Sequence, residues 1–323
     1  FFSGMVRYEL FFKSPAQLAN LIPVLRANSV TAVNIPNKSR DDPLEECLRL
    51  LQSELPHVDV CLHFSLRYQY RNTPSKTFAH FCDFCTLGAT HVLLVSGTGR
   101  KRKLDTVRCL QQLQATPGVQ KPPALGVCFN PYFPDPVAAE AERQRLRQKL
   151  QTRMPTHVWL QFGSDVGALA QGLEYLSDLR SQMAAEVQVV GSLFIPSPTL
   201  LTRMRARPWN GVFLSEEYLS SVPTADRITR EIVALYERHG VEPLVESAVT
   251  SDEDFQRVRD LLGPLADAGA GPTHGSRLQA ADSDAEWTMV EATDTADIAA
   301  KIGAGAGAEA VEEAEVEVQA EVG

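Results

Sequence analysis

Eight short apolar runs recur along this chain, at residues 6–12, 30–35, 58–64, 91–95, 124–129, 157–162, 187–194 and 241–245, with polar loops and helical stretches between them. Each run is partly β-branched or aromatic and is bounded by Gly, Pro, Asn or Ser, as strands are. The runs are nearly continuous rather than alternating, which is the pattern of parallel strands buried on both faces by helices. Eight such units in about 260 residues predict a closed α/β architecture, the (β/α)8 TIM barrel. An open doubly wound sheet is the competing arrangement, but no run is followed by the glycine fingerprint of a dinucleotide-binding turn.

Helix signals fill the gaps. Asp42-Pro43 opens a helix through Leu55, Asp105 caps one through Leu113, and Asp165 caps one through about Met183. Asp226 to Arg238 is a further helix, closed by His239-Gly240, and Asp252 to Leu262 is the last. The barrel is therefore expected over residues 1–265. Residues 266–323 are rich in Ala, Gly and Glu and are expected to form a low-complexity acidic C-terminal tail, with one short segment near 285–300.

Charge follows that division. The whole chain carries a net charge of -9, but from residue 271 onward twelve Asp and Glu face only Arg277 and Lys301, so the first 270 residues are near neutral. No basic face interleaved with aromatics suggests a nucleic-acid partner. No run of about 18 apolar residues suggests a membrane span. Six scattered cysteines, with Cys82 and Cys85 the one close pair, lack the second pair of a zinc site and fit a reducing compartment. A cytoplasmic location is expected; the opening on Phe1 leaves organellar import open, and a homo-oligomer is compatible with the sequence.

In a barrel of this kind the chemistry sits at the C-terminal ends of the strands. Read in order, these ends are Glu9, Asn34 to Lys38, His63, Ser96-Gly97-Thr98-Gly99, Asn130-Pro131, Gln161, Ser192 and Glu246. Glu9 stands out, because an acid inside the apolar run Tyr8-Glu9-Leu10-Phe11-Phe12 needs a partner or a purpose. The set lacks a Ser-His-Asp order and a cluster of metal ligands, which argues against serine and metal hydrolysis. Ser96 to Lys103 combines glycines with four successive cations and would suit a phosphate or a polycarboxylate, or lie simply solvated. His63 and Gln161 read equally as ligand contacts or as satisfied core groups. Glu246 reads as a site residue or as the cap of the next turn, and Asp165 as a helix start.

Taken in order, these strand ends resemble the methylenetetrahydrofolate reductase family from about Arg7 to Ser247. Tyr8-Glu9-Leu10-Phe11 matches its Phe-Glu-Phe-Phe, His63-Phe64-Ser65 its His-Leu-Thr, Gln161-Phe162 its Gln-Phe, and Leu146 with Lys149 its Leu-x-x-Lys. The resemblance implies an FAD-dependent oxidoreductase that reduces 5,10-methylenetetrahydrofolate to 5-methyltetrahydrofolate with NAD(P)H. It makes Glu9 the catalytic general acid, which protonates a folate ring nitrogen. It assigns His63, Ser96, Gly97, Thr98, Asn130 and Lys149 to the cofactor and Gln161 and Thr98 to the substrate. The sequence departs from the family at the fourth strand, where Ser96-Gly97-Thr98 replaces Arg-Gly-Asp. At the fifth, Asn130-Pro131-Tyr132-Phe133-Pro134-Asp135 lacks the family's histidine, and Arg153-Met154 stands for Gly-Ala. A flavin-free barrel that binds a folate or another ligand, or serves as a partner subunit, is therefore the alternative. A proline dehydrogenase-like flavin barrel is a third reading.

Overall fold

All eight apolar runs form strands. They are β1 (Arg7–Glu9), β2 (Ala32–Ile35), β3 (Asp59–Ser65), β4 (His91–Val95), β5 (Ala124–Phe129), β6 (His157–Leu160), β7 (Gln188–Leu193) and β8 (Val241–Val245). In the computed structural model, which describes residues 5–97, 103–119, 122 and 124–263, each strand pairs in parallel with the next and β8 closes on β1. The result is the (β/α)8 barrel, with strands buried on both faces as their composition requires. The tail 266–323, with its segment near 285–300, lies outside the described residues.

Helices cover the outside where their caps permit. Asp105 and Asp165 accept from the amides of Arg108 and Ala168, as their positions suggest. Ser251 and Asp254 form a reciprocal capping box for the helix Asp252–Leu262. Two starts differ from the sequence reading. Asp42 does not cap its helix; its carboxylate turns back to the amide of Ser39 and the side chain of Asn37, and the helix begins at Leu44. The helix expected from Asp226 begins four residues earlier at Val222, because Ser221 caps it and Pro223 occupies its first turn. Asp226 is instead ion-paired with Arg257. The first strand ends at Glu9 rather than Phe12, since Ser14 already caps the helix Pro15–Ala27.

Period-two alternation sends every second strand residue into the barrel, where three layers form. At the N-terminal end, fully buried Arg7 binds Glu242 through Nε at 3.0 Å and Asp59 through a terminal nitrogen at 3.1 Å. Asp59 in turn holds His91 Nδ1 at 2.7 Å, and His91 Nε2 lies 3.3 Å from His157 Nε2. Above this charged floor, Cys61, Leu93, Val95, Cys128, Trp159, Val190 and Leu244 form a separate apolar layer. The third layer, at the C-terminal end, is polar. Tyr8 points the other way and packs on Phe255 of the last helix, with ring centroids 5.0 Å apart.

Candidate active site at the barrel mouth

Glu9, His63, Gln161, Ser192 and Glu246 are brought together by the ends of five strands. They line one cavity whose base is the apolar layer of Leu93, Cys128, Trp159 and Leu244. It encloses about 410 Å3 of empty space, counting its open mouth. All five polar side chains are buried.

Several buried polar atoms of the described residues lack a partner, some away from the cavity, such as Tyr132 Oη, Tyr218 Oη and Thr229 Oγ1, and five on residues that line it. Among the described residues, Glu9 Oε1, His63 Nδ1, Trp159 Nε1, Gln161 Nε2 and Glu246 Oε2 find no partner. Each belongs to a residue lining the cavity. An unmet buried polar group costs about 1–3 kcal/mol, so five around one space mark a place where something else supplies the partners. Their other atoms are anchored. Asn34 Nδ2 lies 3.0 Å from His63 Nε2; with the amide as donor, the ring proton sits on Nδ1 and faces the cavity. Gln161 Oε1 accepts from the Phe162 amide at 3.0 Å, which leaves its NH2 group free to donate. Ser192 Oγ donates to Glu246 Oε1.

Burial dominates the electrostatics. It raises the pKa of Glu9, with Lys38 pulling back the other way. It raises Glu246 as well; the charge of Glu9 adds to the rise, and the Ser192 hydrogen bond and Lys38 oppose it. Lys38, half-buried and 4.1 Å from the centroid of the Phe11 ring, has its pKa lowered by burial against the pull of Glu9, Asp42 and Glu246. His63 drops to about 3 through burial, then through the charges of Lys38 and Arg7, and is a neutral ring. Cys128 is pushed up to about 12 by burial and stays a thiol. The mouth thus offers acids whose pKa burial raises together with neutral donors, a set suited to holding a polar ligand and moving a proton to or from it. Among the described residues, no group of three or more His, Cys, Asp or Glu is placed to hold a metal ion.

The residues that the resemblance assigns to a flavin are placed differently. Lys149, on the helix Pro136–Gln151, is buried between helix and sheet, where Nζ donates to the Cys128 carbonyl at 2.8 Å. Glu142 of the same helix accepts from the Asn130 amide. The Asn130 side chain donates to the Gly211 carbonyl at 2.8 Å and accepts from the Tyr132 amide at 3.0 Å. Ser96 Oγ pairs with Thr106 Oγ1 at 2.7 Å, and Gly97, at φ +75°, brings its backbone close against Arg67. Thr98, with residues 99–102 of the cationic loop, lies outside the described residues. Of that set only His63 reaches the cavity with an unmet atom. Among the described residues, Ser96, Asn130 and Lys149 thus bond within the frame of the barrel.

Glu246, which also reads as a turn cap in the sequence, instead faces the cavity beside Glu9. No motif marks Trp159 or Arg7, although both are legible as the inward positions two residues before Gln161 and Glu9.

No protein-family model matches the chain, and no curated protein matches it. Among solved structures it is similar to the catalytic domain of a hyperthermophilic chitinase from Pyrococcus furiosus, with a TM-score of 0.51 at 9% identity over 83% of this chain and 97% of that one. Active domain 2 of chitinase from the same organism, in its catalytic-site mutants, gives 0.50 at 8% identity over 83% and 97%. An aldo-keto reductase from Klebsiella pneumoniae in complex with NADPH gives 0.45 at 15% identity over 84% and 87%. At such identities the likeness to the two chitinase domains shows the fold alone, the (β/α)8 barrel. Among the described residues, no helix is long and apolar enough to cross a membrane.

Proposed function

We propose that the barrel mouth binds a small nitrogen-bearing ligand and that Glu9 is its proton donor. The observation that carries this reading is the convergence on one cavity of five residues with buried, unmet polar atoms, two of them acids whose pKa burial raises. A protonated carboxyl passes its proton to a ligand nitrogen and becomes a carboxylate. Lys38 then offsets the new charge. His63 Nδ1–H and the Gln161 NH2 group donate hydrogen bonds and hold the ligand in place. This is the role that the resemblance to methylenetetrahydrofolate reductases gives Glu9 and Gln161, and a folate is accordingly the first ligand to test.

The fuller reading is an FAD-dependent oxidoreductase that reduces 5,10-methylenetetrahydrofolate with NAD(P)H. Glu9, His63 and Gln161 support it. The engagement of Ser96, Asn130 and Lys149 in the frame favours the second reading, a barrel that binds a folate or another ligand without flavin. The visible absorption spectrum of the purified chain, before and after incubation with FAD, separates the two. Bound-flavin bands and reduction of the folate would establish the reductase. A colourless protein that still binds 5-methyltetrahydrofolate would establish the flavin-free site, and a colourless protein that binds no folate would remove both folate readings.

A further inference from the structure

We propose that Glu246 is the proton-sharing partner of Glu9: the two acids hold a single proton between them, which makes Glu246 a positioning residue for proton delivery at the mouth. The inference deepens the proton-donor reading of Glu9, yet its test needs no ligand.

Strand register places the two acids side by side. Arg7 pairs with Leu244 and Tyr8 with Val245 across the closure of the barrel, so the next step along both strands sets Glu9 beside Glu246. Both are inward positions, and both line the same cavity. Neighbouring strands lie about 4.8 Å apart, so two glutamate side chains rising from adjacent positions reach one another. Each acid keeps one oxygen unmet, Glu9 Oε1 and Glu246 Oε2. Neighbouring buried carboxylates resist ionising together, and one proton between them fills an otherwise missing donor.

The surrounding groups fit a shared proton. Ser192 Oγ–H fixes the remaining Glu246 oxygen. Lys38 is the cation acting on both acids, His63 is neutral, and Arg7 two residues below Glu9 is already held by Asp59 and Glu242. When Glu9 gives up the proton, the pair becomes two adjacent carboxylates beside Lys38. The proton lost appears on the acceptor nitrogen, and the pair is restored from solvent through the mouth.

The test is a carboxyl-carbon NMR titration of the full chain, labelled with 13C at glutamate Cδ and compared with Glu9→Gln and Glu246→Gln. In the unaltered chain the pair should lose its protons in two separated steps, each sensed by both side chains. In either variant the remaining acid should lose its proton in one step, displaced by about one pH unit or more below the upper step of the pair. Coupling is reciprocal, so either variant decides the matter if the other fails to fold. Two independent titrations that neither substitution shifts would overturn the proposal. Because no folate or flavin is present, that result is distinct from a failure of the proposed function.

Discussion

Trp159 lies against the backbone of Gly126 so closely that a Cβ on the glycine would sit 2.2 Å from Trp159 Cζ3. This contact, between neighbouring strands β5 and β6, lets the largest side chain of the interior lie across the barrel and form the base of the cavity. Only a residue without a side chain leaves that room.

Gly126→Ala should therefore destabilise the fold by about 1–3 kcal/mol, the range of an overpacked core. It should also disturb the cavity, since Trp159 is the group that must move. Urea unfolding checks the first and Trp fluorescence the second; unchanged stability would show that the indole is free to shift.

Arg7→Met should cost about 3 kcal/mol. The substitution keeps the apolar stem and strands Asp59 and Glu242 without their cation at the barrel floor. The charged partners make this more costly than a neutral truncation of similar size. Combining it with Asp59→Asn and Glu242→Gln should recover part of the loss, and equilibrium unfolding of the single and triple variants measures it. No recovery would mean that the arginine acts through packing alone.

The pH dependence of Glu9 has a definite sign. Its folded pKa is raised, so between its ordinary value near 4.5 and its raised folded value the folded state binds more protons than the unfolded. Stability from this group is full at low pH and falls as pH rises through that window. Glu9→Gln carries no such titration, so its stability relative to the unaltered chain should increase from pH 5 to about pH 7 and level off above that. Unfolding curves across that range check it, and a constant difference would mean that the carboxyl titrates normally.

Gln161 and Lys149 should separate ligand recognition from framework. Gln161→Ala removes an unmet donor at the cavity and should weaken binding of 5-methyltetrahydrofolate about tenfold, close to one lost hydrogen bond. Lys149→Met should lower the unfolding midpoint while leaving affinity nearly unchanged, because its ammonium is buried under the helix and donates to the Cys128 carbonyl. Isothermal titration calorimetry with both variants tests the pair. Equal losses of affinity would place Lys149 in ligand binding after all.

The barrel was legible because a parallel strand buried on both faces leaves a continuous apolar run, and all eight runs were of that kind. Glu9 was legible for a related reason, as an acid inside such a run toward its C-terminal end, whereas Asp59 and Glu242 stand near the starts of theirs. The helix starts at Leu44 and Val222 were less so, since Asp42 and Ser221 compete with neighbouring polar residues for the same turn and sequence order does not say which amide each will reach. Lys149, Asn130 and Ser96 show the limit more clearly. A short motif names a residue near a strand end without fixing which side of the sheet its side chain takes. That side is decided by the seating of the helix Pro136–Gln151 and by the loop around Gly211. Glu246 became interpretable only when closure placed β8 beside β1, a relationship between residues 237 positions apart.

The ionic floor around Arg7 and the indole of Trp159 above it make the barrel a cul-de-sac. A molecule, the water it displaces and the proton it takes must all use the same doorway. Traffic through a single entrance is ordered, so whatever enters last leaves first, and two ligands stacked in this mouth would bind and depart in strict sequence.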